Sequence, residues 1–243
     1  SHVPVLEPSD SQEAKDFAKF AYELSERYDT PIIVRTTTKL AHSQSAVELC
    51  ERVEISDKEY TRMPTKYVMM PASAIGRHLA VEDREIRMAK DSATFPVNRI
   101  EMGDKKIGFI TAGIAYQYVK DVCPDASVLK LGLVNPISRE LIESFINQVE
   151  TVYVFEELEP VMEEQIRAAG IKCIGKELIP NIYELNPEIV AKSIFGTEAE
   201  TKDLAVKAVG RPPVLCPGCP HRGFFYTMSK NKSFVFIFKI LSF

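Results

Sequence analysis

Between residues 105 and 196 short apolar runs alternate with amphipathic stretches, and that rhythm constrains the fold more than any other feature of the sequence. Ile107-Gly108-Phe109-Ile110-Thr111-Ala112 has strand character, Gly113 turns the chain, and Ile114 to Val122 follows with helical spacing. Val128-Leu129-Lys130-Leu131 predicts the next strand. After Pro136 come a helix over Ser138 to Gln148, a strand at Thr151 to Phe155, a helix over Val161 to Ala169 and a short strand from Ile171 to Ile174. Strands that alternate with helices pair in parallel through right-handed crossovers, so this region predicts an α/β domain on a doubly wound, mostly parallel sheet. Ligands of such sheets lie beyond the carboxyl ends of the strands. Two of those ends carry chemistry. Thr111-Ala112-Gly113 starts a helix whose amino end can receive an anion, although a tight turn needs glycine with or without a ligand. Glu156-Glu157-Leu158-Glu159 can supply a general acid or base, but carboxylates at a helix start are read first as caps that complement the helix dipole. No Gly-x-Gly-x-x-Gly occurs, which argues against a dinucleotide site.

Upstream, Glu7-Pro8-Ser9-Asp10-Ser11-Gln12-Glu13-Ala14 has the cap and first-turn acids of a helix start, and Phe17, Phe20, Ala21 and Leu24 form the apolar stripe of that helix. Pro31 introduces Ile32-Ile33-Val34, an apolar run of the kind found in strands covered on both faces. Arg35-Thr36-Thr37-Thr38-Lys39 leaves its carboxyl end. These residues either face a ligand or are ordinary strand residues, with Arg35 paired to a surface carboxylate. Residues 43–101 loosen into polar, extended patches and a charged helix from Pro71 to about Lys90, and are expected to link domains. His42 and His78 stand alone and are expected to be solvated or structural. Beyond residue 196 a polar stretch to Gly210, expected to be helical in part, precedes Arg211-Pro212-Pro213, which stiffens the chain and marks a boundary.

Charge and composition narrow the partners. A net charge of −4, from 30 basic and 34 acidic residues mixed along the chain, leaves no basic stripe for a phosphate backbone, so no nucleic-acid partner is expected. The longest apolar run, Phe234 to Phe243, is broken by Lys239 and falls short of the roughly 20 residues of a membrane span, so no membrane partner is expected. Five cysteines without a signal-peptide pattern point to a reducing compartment, by default the cytoplasm. Cys50, Cys123 and Cys173 are isolated and are read as buried small apolar residues.

The densest chemistry is Cys216-Pro217-Gly218-Cys219-Pro220-His221-Arg222-Gly223. Cys216 and Cys219, with His221 beside them, offer a metal fewer than the four ligands of a closed zinc or iron–sulfur site. A redox pair would be expected to start a helix inside a small domain. A rigid turn with two quiet thiols is the third option.

The stretch Arg211 to Gly223 resembles the start of the thiamine-pyrophosphate-binding domain of the indolepyruvate:ferredoxin oxidoreductase alpha subunit family. Leu6 to Ala14, and Val34-Arg35-Thr36-Thr37-Thr38-Lys39 through His42-Ser43, are similar to the end of that family's pyrimidine-binding domain. Phe155-Glu156-Glu157-Leu158-Glu159-Pro160 and Gly175-Lys176-Glu177-Leu178-Ile179-Pro180 are similar to its middle, transketolase-C-terminal-like domain. The resemblance implies residues 1–42 as the end of a pyrimidine-binding domain, 43–101 as a linker region, 102–196 as the middle α/β domain, and 197–243 as a linker with a truncated pyrophosphate-binding domain. It implies an enzyme that decarboxylates arylpyruvates on thiamine pyrophosphate with magnesium, transfers the acyl group to coenzyme A, and passes electrons through iron–sulfur clusters to ferredoxin, alongside a beta subunit. Arg35, Thr36 and Thr38 would face the cofactor cleft, and Cys216, Cys219, His221 and Arg222 the cofactor's diphosphate side or a cluster. No Gly-Asp-Gly motif and no ferredoxin-type cysteine run occurs, so the chain alone is expected to be inactive, and no catalytic residue is assigned. A non-enzymatic subunit-docking module and a small metal-binding protein using Cys216 and Cys219 are the alternatives. Ser233 to Leu241 reads as an adhesive, β-prone segment without a family counterpart.

Overall fold

The computed structural model describes residues 2–54, 59–197, 215 and 217–230. The first elements are β1 (Val5–Leu6), α1 (Ser11–Tyr28), β2 (Ile33–Val34), α2 (Thr38–His42), α3 (Pro64–Tyr67) and α4 (Pro71–Asp91). A strand-rich stretch follows, with β3 (Arg99–Glu101), β4 (Asp104–Ala112), α5 (Gly113–Val122), β5 (Ala126–Leu131) and β6 (Leu133–Asn135). Then come α6 (Arg139–Ile146), β7 (Thr151–Phe155), α7 (Val161–Ala168), α8 (Pro187–Phe195) and α9 (His221–Lys230). The chain divides into two units, Ser1–Ala199 and Glu200–Phe243.

In the first unit β5, β4 and β7 pair in parallel, and β3 closes the other edge of β5 antiparallel. Successive side chains of a strand point to opposite faces, so parity decides what each residue packs against. Ile110, Leu129, Leu131 and Val154 meet Ile142 and Phe145 of α6 and Met162 and Ile166 of α7. Their neighbours Phe109, Val128 and Phe155 meet Ala115, Tyr116 and Val119 of α5 and Val190 of α8. Helices therefore cover both faces, and the expected doubly wound α/β sheet is present. The expected strand Ile171 to Ile174 reduces to one bridge, Ile174 with Tyr153. There the chain turns away to dock on Glu163, whose Oε2 accepts from Lys176 N at 2.9 Å.

A second sheet, in the order β2-β1-β6, consists of strands two or three residues long, too short for a periodic pattern. It joins the first sheet at Gly132, where the Asn98 Oδ1 atom accepts from Gly132 N at 2.8 Å and from Leu133 N at 3.0 Å. A Cβ at Gly132 would fall 2.4 Å from the Val97 carbonyl oxygen, so the close approach requires glycine. The stretch read as a linker contributes here as well: Met88, Phe95 and Val97 bury with Phe17, Leu24 and Tyr28 of α1, while Ile75, Leu79 and Ile86 of α4 stay exposed.

α1 is tied to the central sheet by charge. Lys130, fully buried on β5, pairs with Glu13 Oε2, and Arg99 Nη1 reaches Glu13 Oε1 at 2.7 Å. Burial by itself would raise the Glu13 carboxyl, but Lys130, together with hydrogen bonds from Arg99 and Ser9, holds it at about 2. Of the isolated cysteines, Cys123 and Cys173 are half-buried, and burial pushes both thiols up. Cys50 is a correction to the expected pattern: it lies exposed on a segment that is itself neither helix nor strand, with Sγ 3.4 Å from Lys15 Nζ of α1.

Candidate functional site

The carboxyl ends of β2 and β7, from different sheets, open onto the same cleft of about 320 Å³. Arg35, Thr36, Thr37, Thr38 and Lys39 line one side, Glu157 and Leu158 the second, and Tyr183 and Glu184 the third. The sequence pointed to two of these walls through the rule that strand ends face ligands. It gave no sign of Tyr183 and Glu184, which stand on the irregular segment before α8 and come within reach only through the tertiary fold.

Local chemistry positions each group. Thr37 Oγ1 accepts from Leu40 N and caps α2, which turns Thr36 and Thr38 outward and exposed. Arg35 N donates to the Leu6 carbonyl at 2.8 Å, continuing the β2–β1 pairing, and Arg35 Nη1 pairs with Glu7 Oε1 at 2.6 Å. The expected surface-carboxylate partner of Arg35 is therefore Glu7, yet Arg35 also lines the cleft. Lys39 Nζ donates to the Leu185 carbonyl at 2.9 Å and lies 3.6 Å from Glu184 Oε2. Leu185 N in turn donates to Glu157 Oε1 at 3.3 Å, so the segment bearing Tyr183 is clasped from both sides. Burial pushes the Glu157 carboxyl up, against the hydrogen bond from Leu185 and the pull of Lys39 and Arg35.

Behind Arg35 lies a second hollow of about 310 Å³, with Val5, Val134, Val161 and Met162 as its apolar wall and Glu156 among its polar groups. Glu156 accepts from Met162 N at 2.8 Å and Glu163 N at 2.9 Å, so it caps the amino end of α7, as the acidic run suggested. Burial raises its carboxyl to about 7 in spite of those two bonds and of Lys176 nearby. At the other expected strand end, Gly113 takes a φ of +53°, and a Cβ there would lie 3.3 Å from Glu7 Oε2. The side chain nearest that turn is Glu7.

The cysteine turn belongs to the second unit. Cys219 Sγ is 3.4 Å from His221 Nδ1, Gly218 takes a φ of +76°, and Arg222 Nη2 donates to the Leu215 carbonyl at 2.8 Å. Cys216 lies outside the described residues, as do residues 198–210 of the stretch expected to be helical in part and the apolar segment 233–243. Among the described residues no group of three or more His, Cys, Asp or Glu side chains is placed to hold a metal ion. Among the described residues of the turn, Cys219 and His221 supply two donors, fewer than the four of an iron–sulfur cluster or closed zinc site. No described helix is long and apolar enough to cross a membrane.

No family model matches the chain. Its fold is shared with a solved 2-oxoglutarate:ferredoxin oxidoreductase from Magnetococcus marinus, with a TM-score of 0.56 and 15% identity over 79% of this chain and 41% of that one. At that identity the likeness establishes a shared fold. The sequence matches the indolepyruvate oxidoreductase subunit IorA of Archaeoglobus fulgidus, 35% identical over 94% of this chain, and of Pyrococcus horikoshii, 36% identical over 95%. The chain is similar to these subunits over nearly all of its own length, and it spans 40% of theirs.

Proposed function

We propose that the chain is the central part of the alpha subunit of an arylpyruvate:ferredoxin oxidoreductase. The match over 94% of its residues to subunits named for indolepyruvate carries this reading. In the complete enzyme, thiamine pyrophosphate with magnesium would supply the chemistry of 2-oxoacid decarboxylation, iron–sulfur clusters the electron path to ferredoxin, and coenzyme A the acceptor for the acyl group. A beta subunit completes the assembly, in the cytoplasm. Residues 1–42 end the pyrimidine-binding domain, 43–101 link it to the transketolase-like domain 102–196, and 197–243 begin the pyrophosphate-binding domain. Arg35, Thr36 and Thr38 belong to the ligand-facing side of the first of these. Cys216, Cys219, His221 and Arg222 stand at the diphosphate side or beside a cluster, where other parts of the complex supply the missing donors.

The test is an exchange. Residues 1–226 replace the matching segment of the Archaeoglobus fulgidus subunit, and the chimera is assembled anaerobically with its beta subunit. Indolepyruvate-dependent ferredoxin reduction within about tenfold of the parent, some 1.4 kcal/mol, is expected. A chimera that assembles with the beta subunit but reduces no ferredoxin would overturn the reading. In the active chimera, Cys216→Ala and Cys219→Ala are expected to abolish turnover, and full retention of activity would remove the turn from the mechanism.

A further inference from the structure

Among the described residues three that are not glycine have positive φ: Asp29, Leu158 and Tyr183. Asp29 ends α1 as its left-handed cap, a routine use of an Asp. Leu158, at φ 60°, and Tyr183, at φ 68°, have no such excuse, since neither side chain stabilises that conformation. Both border the cleft of Arg35, Thr36, Thr38 and Lys39. Both are also exposed, Leu158 at 45% and Tyr183 at 84%, so neither conformation is repaid by packing in the core. Their immediate neighbours hold them: Glu157 Oε1 accepts from Leu185 N, and Lys39 Nζ donates to Leu185 O. Strained backbone fixed by surrounding bonds at the mouth of a pocket marks a site where side-chain position is worth more than local ease.

We infer that Tyr183 and Leu158 are a preset apolar clamp on this cleft, and that the cleft takes a small planar aromatic anion. The ring lies against Tyr183 and Leu158, and the anionic group meets Arg35 and the hydroxyls of Thr36 and Thr38. Chemistry of the walls and size agree. A phenol ring offers stacking area and carries no charge, the guanidinium matches a carboxylate or phosphate in a fork, and about 320 Å³ lies at the small end of ligand pockets. Arg35 Nη1 is held by Glu7 Oε1 at 2.6 Å, so an arriving anion competes with that carboxylate for the guanidinium. Two sources share this chemistry, an aryl 2-oxoacid and a nucleoside monophosphate. The proposal rests on the functional reading above only in its choice of the first probe.

Calorimetric titration of the 243-residue chain with indole-3-pyruvate, adenosine 5′-monophosphate and pyruvate tests it, alongside thermal melting. One aromatic anion is expected to bind at least tenfold tighter than pyruvate, and which one does so names the source. Tyr183→Gly removes the ring and the strain together. It is expected to weaken aromatic binding two- to tenfold, to leave pyruvate unaffected, and to raise the melting midpoint by roughly 2 °C. Tyr183→Phe keeps both ring and strain and is expected to bind within about twofold of the parent. Three results would each overturn the inference: no heat with either aromatic anion from a cooperatively melting chain, unchanged aromatic binding by Tyr183→Gly, or a lowered midpoint in that variant. A chimera active in ferredoxin reduction combined with any of these sinks the clamp alone and leaves the family reading standing.

Discussion

Glu13 and Glu156 are both buried carboxylates at the amino end of a helix, yet they are driven in opposite directions, Glu13 down to about 2 and Glu156 up to about 7. The difference starts with capping. α1 has its own cap, Asp10, whose Oδ1 accepts from Glu13 N at 2.8 Å, so the Glu13 side chain is free to meet Ser9, Arg99 and Lys130. α7 begins after Pro160, which offers no side-chain cap, and Glu156 commits both oxygens to Met162 N and Glu163 N. Two backbone N–H groups with Lys176 nearby do not offset the loss of water at Glu156, whereas the directly paired, buried ammonium of Lys130 does at Glu13. One carboxylate becomes a permanent structural charge. The other titrates near neutrality beside the hollow behind Arg35.

Removing the cation breaks the comparison most severely. Lys130→Met leaves Glu13 buried with only Arg99 for charge, and urea denaturation at pH 7 is expected to show a loss of about 3–5 kcal/mol. Glu13→Gln combined with Lys130→Met is expected to recover most of it, because the uncompensated charge is gone. If the double variant is no better than the single one, packing rather than charge decides the site. The pH dependence gives the same contrast in the parent protein. A folded-state value below the ordinary one means that the unfolded chain takes up the proton first, so the Glu13 contribution is complete above about pH 4.5. It is lost as pH falls towards 2, up to about 3 kcal/mol in total. Glu13→Gln is expected to remove that segment of the acid-unfolding curve.

Glu156 gives the opposite slope and a smaller net effect. Its folded value is raised, so the folded state keeps the proton longer, and stability falls as pH climbs from about 4.5 to 7 and is level above. Glu156→Gln is expected to flatten this segment. The amide retains one acceptor oxygen, so the variant loses one cap bond, costing about 1 kcal/mol at pH 5, and gains about 1–2 kcal/mol over the parent at pH 8. A crossing of the two stability curves between those pH values is the signature. Parallel curves would mean that Glu156 is ionised throughout and that burial does not govern it.

The sequence exposed those features that repeat or lie close together along the chain. β4, β5 and β7 were legible because five to nine residues each are enough to show apolar runs. The capping role of the acidic run was legible because Glu156 and its helix are neighbours. β1 and β6 have two and three residues and leave no periodic trace. Lys130 was visible only as an interruption in an apolar strand, since its partner Glu13 stands on the first helix. The cleft was half legible: strand-end logic flagged Arg35 to Lys39 and Glu156 to Glu159, while Tyr183 owes its place to bonds made by Glu157 and Lys39 to Leu185. A left-handed tyrosine or leucine has no signature in sequence, because those residue types do not favour that backbone.

The mildest substitution tests the cause assigned to the contrast. If Asp10 frees Glu13 by capping α1, then Asp10→Ala is expected to cost about 1 kcal/mol, the ordinary loss of a cap. The acid-unfolding segment between about pH 4.5 and 2 should survive, because Lys130 still fixes Glu13. A different result would be more informative. Glu13 lies within the first turn of α1, and with Asp10 gone its carboxylate can fold back onto the exposed N–H groups and abandon Lys130. The variant would then lose several kcal/mol, close to the loss in Lys130→Met, and its acid segment would flatten. Denaturation curves at pH 7 and pH 3 separate the outcomes. A small, pH-independent loss means that the two helix starts differ because one has its own cap and the other borrows Glu156, whereas a large, pH-dependent loss means that the Glu13–Lys130 pair itself depends on Asp10.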